Sequence, residues 1–188
     1  MKRIVVLGLV AVAATAVVMI AAAQGSGKTD LVARGNYVVT LGGCTDCHSP
    51  KVYTPEGIPM PDETKLLSGH PAGLEIPAYS ADMVAPGQWV LLNNHFTAAV
   101  GPWGVSYAAN LTPDKETGIG AWPEEMFIKA MRTGKHLGSG RDILPPMPWP
   151  ALAQATDEDL KAIFAYLKSL PPVKNRVPDP VPPQMPGK

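Results

Sequence analysis

Apolar residues recur at helical spacing in three segments of the chain. The first segment, Asp30 to Thr40, ends at a pair of glycines, and the second, from about Pro123 to Gly134, opens with two glutamates. The third and clearest segment runs from Thr156 to Leu170, with acidic residues in its first turn and two prolines directly after it. These patterns predict three main helices.

The long segment between Ser49 and Ala121 has scattered Gly and Pro and little apolar periodicity. One short hairpin is expected within it, because Asn94–Val100 and Val105–Asn110 are short runs separated by Gly101-Pro102-Trp103-Gly104, which has a turn composition. The rest of the segment is expected to be irregular. A domain with so few periodic apolar residues in its middle needs another source of hydrophobic core, and a large apolar cofactor would supply it.

The first residues have the pattern of a signal peptide. Met1-Lys2-Arg3 precede the apolar run Ile4–Ile20, and small side chains follow directly before Gln24. The alternative is an uncleaved anchor, because the uncharged stretch exceeds the roughly 20 residues that span a bilayer as a helix. In both cases we expect residues from about 24 onward to be exported to the periplasm, with inner-membrane attachment if the segment is retained.

The predicted domain boundaries follow from the composition of the two ends of the chain. Seven of the last 18 residues are Pro, so we expect an extended and poorly packed tail. We therefore predict a signal peptide or anchor over 1–23, one domain over 24–172 and a Pro-rich tail over 173–188. About 165 residues after the signal segment suit one domain.

Composition excludes several classes of protein. The chain has 16 Lys plus Arg against 16 Asp plus Glu, so no net charge favours nucleic-acid binding. Two Cys cannot build a disulfide scaffold of several bridges, and 46% hydrophobic residues is too many for a disordered chain. The sequence also has no nucleophile elbow, phosphate-binding Gly loop or His-Glu metal helix. We therefore do not expect an enzyme.

The strongest motif is Cys44-Thr45-Asp46-Cys47-His48. A Cys-x-x-Cys-His run is the attachment signature of c-type haem, in which the two thiols bind the vinyl groups and the His binds the iron. Three other interpretations compete: a redox Cys-x-x-Cys, a zinc site completed by other His residues, and a structural disulfide. We expect one covalently bound haem c, held by Cys44 and Cys47, with His48 on the iron.

The second axial position distinguishes an electron carrier from a haem with an open site. Met147 is our first choice, because Pro145-Pro146-Met147-Pro148-Trp149-Pro150 holds one thioether in a rigid extended loop. The second choice is His70, for which a loop position with a satisfied hydrogen bond is the alternative role. The other candidates are Met60, Met83, His95, His136 and an open site.

These features together resemble a class I monohaem cytochrome c domain over about Asp30 to Pro172. Gly35 and Tyr166 resemble the small-plus-aromatic pair at which the first and last helices of that family cross. The run from Asn110 to Trp122, followed by the Met147 loop, is similar to cytochrome c domains and subunits that serve periplasmic dehydrogenases. The resemblance implies an all-α fold around one haem, with Pro50–Val105 as a loop-rich insertion.

The resemblance also implies electron transfer. We expect an exported carrier that moves single electrons from a donor to a downstream acceptor, both of which bind it transiently. A dehydrogenase is one candidate for the donor, and no nucleic-acid partner is expected. The alternatives are a haem-based sensor or binder of small ligands and a non-diffusing subunit of a dehydrogenase complex. Trp122 is the first candidate for a haem propionate contact. The other candidates are Trp103, Asn110, Arg132 and Arg141.

Overall fold

The structure of the chain is a computed structural model that describes residue 27 and residues 30–183. The predicted signal peptide or anchor over 1–23 and the last five residues lie outside this part of the chain. Within the described residues, none of the helices combines the length and the apolar character that a membrane span requires.

Five α-helices and five β-strands make up the described part of the chain. The helices are α1 (30–41), α2 (Cys44–His48), α3 (Glu124–Thr133), α4 (Trp149–Leu152) and α5 (Asp157–Ser169). The strands are β1 (Lys51–Tyr53), β2 (Pro59–Pro61), β3 (Leu91–Leu92), β4 (Ala98–Gly101) and β5 (Gly104–Tyr107). Short 3-10 helices cover Glu63–Lys65, Ala81–Val84 and His136–Gly138.

The three predicted helices form α1, α3 and α5. Thr156 caps α5 by accepting a hydrogen bond from the backbone N–H of Asp159 at 3.1 Å. Gly134 ends α3 in the left-handed conformation, with φ of 65°, and its backbone N–H donates a hydrogen bond to the carbonyl of Ala130. Capping and hydrophobic periodicity were therefore sufficient to place these helices.

The expectation of an all-α fold was wrong. The chain is a mixed α/β protein, because the segment between α2 and α3 forms two small antiparallel sheets, β1-β2 and β3-β4-β5. The predicted hairpin is present as β4-β5, with shorter strands and Gly101 paired with Gly104. Beyond that hairpin, the segment was expected to be irregular, and instead it pairs Val52 with Met60 and Leu91 with Val100.

The main core lies where α1, α3 and α5 meet. Gly35 of α1 lies so close to α5 that an added Cβ would be 1.9 Å from the carbonyl oxygen of Ala162 and 2.7 Å from the Cβ of Tyr166. Only Gly permits this approach, so the predicted contact between Gly35 and Tyr166 is present. The buried apolar residues of this core are Val39, Leu67, Ile119, Phe127, Leu160, Ile163, Phe164 and Leu167.

The tail is extended, as expected, and none of its residues 173–183 is buried, but hydrogen bonds tie residues 173–181 to the rest of the molecule. Val181 forms an isolated antiparallel bridge with Val105 of β5, through two backbone hydrogen bonds of 2.8 and 3.0 Å. Asn175 donates to the carbonyls of Ser68 and His70 at 2.7 and 2.8 Å and accepts from the N–H of Ala72 at 2.8 Å. The tail therefore holds the sheet region against the rest of the molecule.

Candidate functional site

Helix α2 carries both cysteines and His48 within five residues. The chain enters it through Gly42, whose N–H ends α1 by bonding to the carbonyl of Val38 at 2.8 Å, and through Gly43, which has φ of 64°. That left-handed conformation strains residues with a Cβ, so Gly43 permits the sharp turn from α1 into α2. Residues at i and i+3 share one helix face, so Cys44 and Cys47 lie on the same side of α2.

Both cysteines are unpaired and partly buried in the structure. Burial is the main cause that raises the pKa of each thiol above its usual value. A redox-active Cys-x-x-Cys needs the opposite, a thiol with a lowered pKa. This arrangement supports neither the redox interpretation nor the structural disulfide, and it leaves two thiols free on one face of a helix.

His48 is buried and held in one orientation. Its Nδ1 lies 2.8 Å from the carbonyl oxygen of Ala109. A carbonyl only accepts, so Nδ1 carries the proton and Nε2 keeps its lone pair free for a metal. Burial, the largest effect, lowers the pKa of His48, which favours the neutral imidazole that a metal requires.

The other histidines of the described region are engaged elsewhere or lack such an orientation. His70 is fully buried, with Nδ1 2.9 Å from the Thr97 hydroxyl and Nε2 2.9 Å from the Leu74 carbonyl, so both ring nitrogens have partners. The alternative role of His70 as a satisfied loop histidine therefore has structural support. His95 accepts a hydrogen bond from the backbone N–H of Lys51 at 3.0 Å, and His136 packs edge-on against Trp122.

The loop that contains Met147 is joined to the strand region that orients His48. The hydroxyl of Ser106, in β5, donates to the carbonyl of Pro145 at 2.6 Å. Ala109, the acceptor for His48, follows Ser106 by three residues, which span at most about 11 Å. One short segment, 106–109, therefore anchors both the imidazole and the Met loop.

The competing methionines are less well placed. Met60 and Met83 are 50% and 47% exposed, and Met131 packs against the main core. Met185 lies outside the described residues. Met147 is partly buried, and the prolines around it restrict the backbone.

Most of the candidate propionate donors already have partners in the protein. The indole N–H of Trp103 donates to Ser106 at 3.2 Å, and the amide of Asn110 donates to Val173 at 2.8 Å. Arg132 donates to the carbonyl of Ala155 at 2.7 Å and forms an ion pair with Asp157. Trp122 packs on the core with its indole ring near His136, and its role as a propionate contact stays a prediction, as does that of Arg141.

Three features of the site were missed from the sequence. They are the Ala109 carbonyl, the Ser106 hydroxyl and the buried ammonium of Lys51, which donates to carbonyls around α2. A backbone carbonyl leaves no mark in a sequence, and Lys is rarely buried. For Lys51, the only available signal was its position three residues after His48.

The donor set suits a c-type haem. Two free thiols lie one helical turn apart, an oriented imidazole follows, and a thioether loop is tied to the same segment. Residues 30–183 contain no group of three or more His, Cys, Asp or Glu that could hold a metal ion, so the zinc alternative finds no support in them.

Known proteins with similar sequences point the same way. The chain is 32% identical over 136 residues to the gluconate 2-dehydrogenase cytochrome c subunit of Pantoea cypripedii, an alignment of 72% of this chain and 22% of that protein. It is 31% identical over 154 residues to the cytochrome c subunit of the alcohol dehydrogenase (quinone) of Gluconobacter oxydans, which is 79% of this chain and 24% of that protein. The fructose dehydrogenase cytochrome subunit of Gluconobacter japonicus is 42% identical over 66 residues, or 35% of this chain and 13% of that protein.

These similarities support a cytochrome c domain in this chain. The chain matches less than a quarter of the length of each of these relatives. No protein-family profile matches the chain. All three relatives are named as cytochrome subunits of dehydrogenases, which supports electron transfer by this chain and confirms the expectation that it is not itself an enzyme.

Proposed function

We propose that the chain is an exported monohaem cytochrome c that carries single electrons from a dehydrogenase to a downstream acceptor. The observation that carries the proposal is the orientation of His48, whose Nδ1 is fixed on Ala109 while Nε2 is free, directly after two unpaired thiols. Cys44 and Cys47 would hold the haem covalently, and His48 would bind its iron. When bound, the haem would supply a one-electron iron couple.

We further propose that Met147 closes the second axial position. The hydrogen bond from Ser106 to Pro145 and the surrounding prolines restrict this loop before any metal binds, so ordering the thioether costs little entropy. Methionine ligation raises the iron potential relative to ligation by two imidazoles, and it leaves no open site for small ligands. An electron carrier at the high-potential end of an electron-transfer pathway fits these properties better than a sensor does.

The test of ligation replaces Met147 with Ala. The variant should keep its haem, lose the weak near-infrared sulfur-to-iron absorption band of the oxidised protein, and bind carbon monoxide when reduced. Met60→Ala is the matched control, since Met60 is half-exposed, and it should change neither property. Wild-type protein that lacks the band and binds carbon monoxide readily would favour the ligand-binding alternative.

The dehydrogenase partner is proposed from the names of the relatives, which are cytochrome subunits of dehydrogenases that act on gluconate, alcohol and fructose. Reduction of the purified protein by such an enzyme with its substrate should be fast and should depend on salt if the encounter is transient. No reduction by any of several exported dehydrogenases would contradict this assignment of the donor.

Export is proposed from the first residues. We expect the mature chain to begin near Gln24 and to be recovered from the periplasm. N-terminal sequencing of the purified protein tests this directly. Recovery of Met1 or Lys2 in a membrane fraction would instead indicate a carrier that stays anchored in the inner membrane.

A further inference from the structure

The side chain of Lys51 is buried beside the helix that carries the cysteines. Only 7% of the residue is exposed, whereas Lys is almost never fully buried without a partner. Its Nζ donates to the carbonyls of Thr45 at 3.1 Å, Asp46 at 2.8 Å and Ser49 at 2.6 Å. Two of these acceptors lie between the cysteines and the third directly follows His48.

These three acceptors fix the protonation state of Lys51. Each is a carbonyl oxygen, which can only accept, so the nitrogen must supply three N–H groups. A neutral amine has two, and its lone pair would face a carbonyl oxygen. The group is therefore an ammonium, and within residues 30–183 it forms no ion pair with a carboxylate.

The ammonium satisfies carbonyls that α2 cannot satisfy itself. The last four carbonyls of a helix have no partner within the helix, and α2 has only five residues. A cation at this end also interacts favourably with the helix dipole. Lys51 thereby holds the geometry of the short helix on which the two thiols and the imidazole depend.

The same charge acts on His48. The Nζ of Lys51 donates to the carbonyl of Ser49, the residue directly after His48, at 2.6 Å. A positive charge at this place favours adding an electron to a metal bound by His48, because it attracts the added negative charge. Because the ammonium is buried, solvent screens it less than a surface charge.

We propose that Lys51 is a positioning residue of the site, whose buried ammonium holds the Cys44–His48 helix and raises the reduction potential of the iron bound to it. The proposal rests on the proposed function, since it requires a haem on α2. A unit charge on the order of 10 Å from a redox centre, at an effective dielectric near 20, changes the reduced-to-oxidised ratio roughly tenfold. For a one-electron couple, tenfold corresponds to 59 mV.

The experiment compares the holoproteins of wild type, Lys51→Met, Lys51→Gln, Lys51→Arg and Lys161→Met. Lys51→Met removes the charge and all three donors, Lys51→Gln removes the charge but keeps an amide donor, and Lys51→Arg keeps the charge. Lys161→Met removes one exposed charge from α5 and is the matched control. The measurements are the mass of attached haem, the urea midpoint and the equilibrium reduction potential.

The neutral variants at Lys51 should lower the reduced-to-oxidised ratio about tenfold at a fixed applied potential, with Lys51→Arg restoring most of it and Lys161→Met changing it little. If both neutral variants fail to retain haem while Lys51→Arg and the control retain it, the positioning role is supported. Neutral variants that assemble with the wild-type midpoint and potential would overturn the proposal. Wild-type protein without attached haem would instead refute the proposed function.

Discussion

The crossing of α1 and α5 at Gly35 gives a sharp prediction about stability. Replacing a helical Gly with Ala ordinarily stabilises a protein by about 0.5–1 kcal/mol, through the backbone entropy of the unfolded chain. At Gly35 the new Cβ would lie 1.9 Å from the Ala162 carbonyl oxygen. That oxygen belongs to the backbone of α5, so the helices must separate by about 1.5 Å to reach ordinary contact distance.

Overpacking of a tight interior costs about 1–3 kcal/mol, and a backbone clash belongs at the upper end of that range. Subtracting the gain in helix propensity leaves a net destabilisation of about 2 kcal/mol for Gly35→Ala. With a urea dependence of about 2 kcal/mol per molar, the midpoint should fall by about 1 M. The assay is urea unfolding of the holoprotein, followed by far-ultraviolet circular dichroism and by haem absorbance.

Asn36→Ala is the matched control, because Asn36 is an exposed neighbour on the same helix. It should stabilise the protein by up to about 0.7 kcal/mol, since only propensity changes. If Gly35→Ala proves as stable as wild type, or more stable, the close crossing of α1 and α5 is not present in solution.

Three further predictions concern the tail, the Met loop and a buried histidine. Asn175→Ala removes three hydrogen bonds and should lower the free energy of unfolding by about 3 kcal/mol, measured by urea unfolding. Lys174→Ala breaks only an exposed ion pair and should cost under about 1 kcal/mol; equal costs would contradict the role of these hydrogen bonds in holding the tail. Ser106→Ala frees the Met loop and should increase carbon monoxide binding by the reduced protein, while Ser139→Ala, at an exposed position, should not; unchanged binding would refute the anchor. Burial, the largest effect, lowers the pKa of His70 below its usual 6.5, so the unfolded chain binds a proton near pH 6.5 that the folded chain does not, and stability should fall as the pH drops through this range. Thermal melts at several pH values should show a weaker fall for His70→Gln than for wild type, and an equal fall would contradict this reasoning.

Helix positions were accessible from the sequence because several local signals agreed for each helix. In α5, the cap at Thr156, the acidic first turn and the spacing of Leu160, Ile163 and Leu167 all indicate the same element, and each is local in sequence. The structure places these residues as the pattern predicted. Helices α1 and α5 also meet at Gly35, as the family resemblance implied.

The sheets were not accessible in the same way. Strand β2 is Pro59-Met60-Pro61, and Pro residues normally argue against a strand. Its pairing with β1 depends on contacts across a turn rather than on alternation of apolar residues, so the period-2 signal is absent. This is why a segment expected to be irregular proved to be a pair of small sheets.

The supports of the candidate site were invisible for a different reason. Three hydrogen bonds support the site, and each is accepted by a backbone carbonyl. The donors are the imidazole of His48, the ammonium of Lys51 and the hydroxyl of Ser106. Every residue has such a carbonyl, so only the fold shows which one is used. The side chains that carry the proposed chemistry could be named from the sequence, whereas the groups that orient them could not.

The central claim is that one haem is covalently attached at Cys44 and Cys47. The direct measurement is the mass of the purified protein after denaturation and extraction with acidified organic solvent, which removes haem that is not covalently bound. The account predicts the mass of the mature chain plus one haem, and the mass of the chain alone for a variant with both cysteines replaced by Ala. A wild-type chain mass without attached haem would contradict the claim.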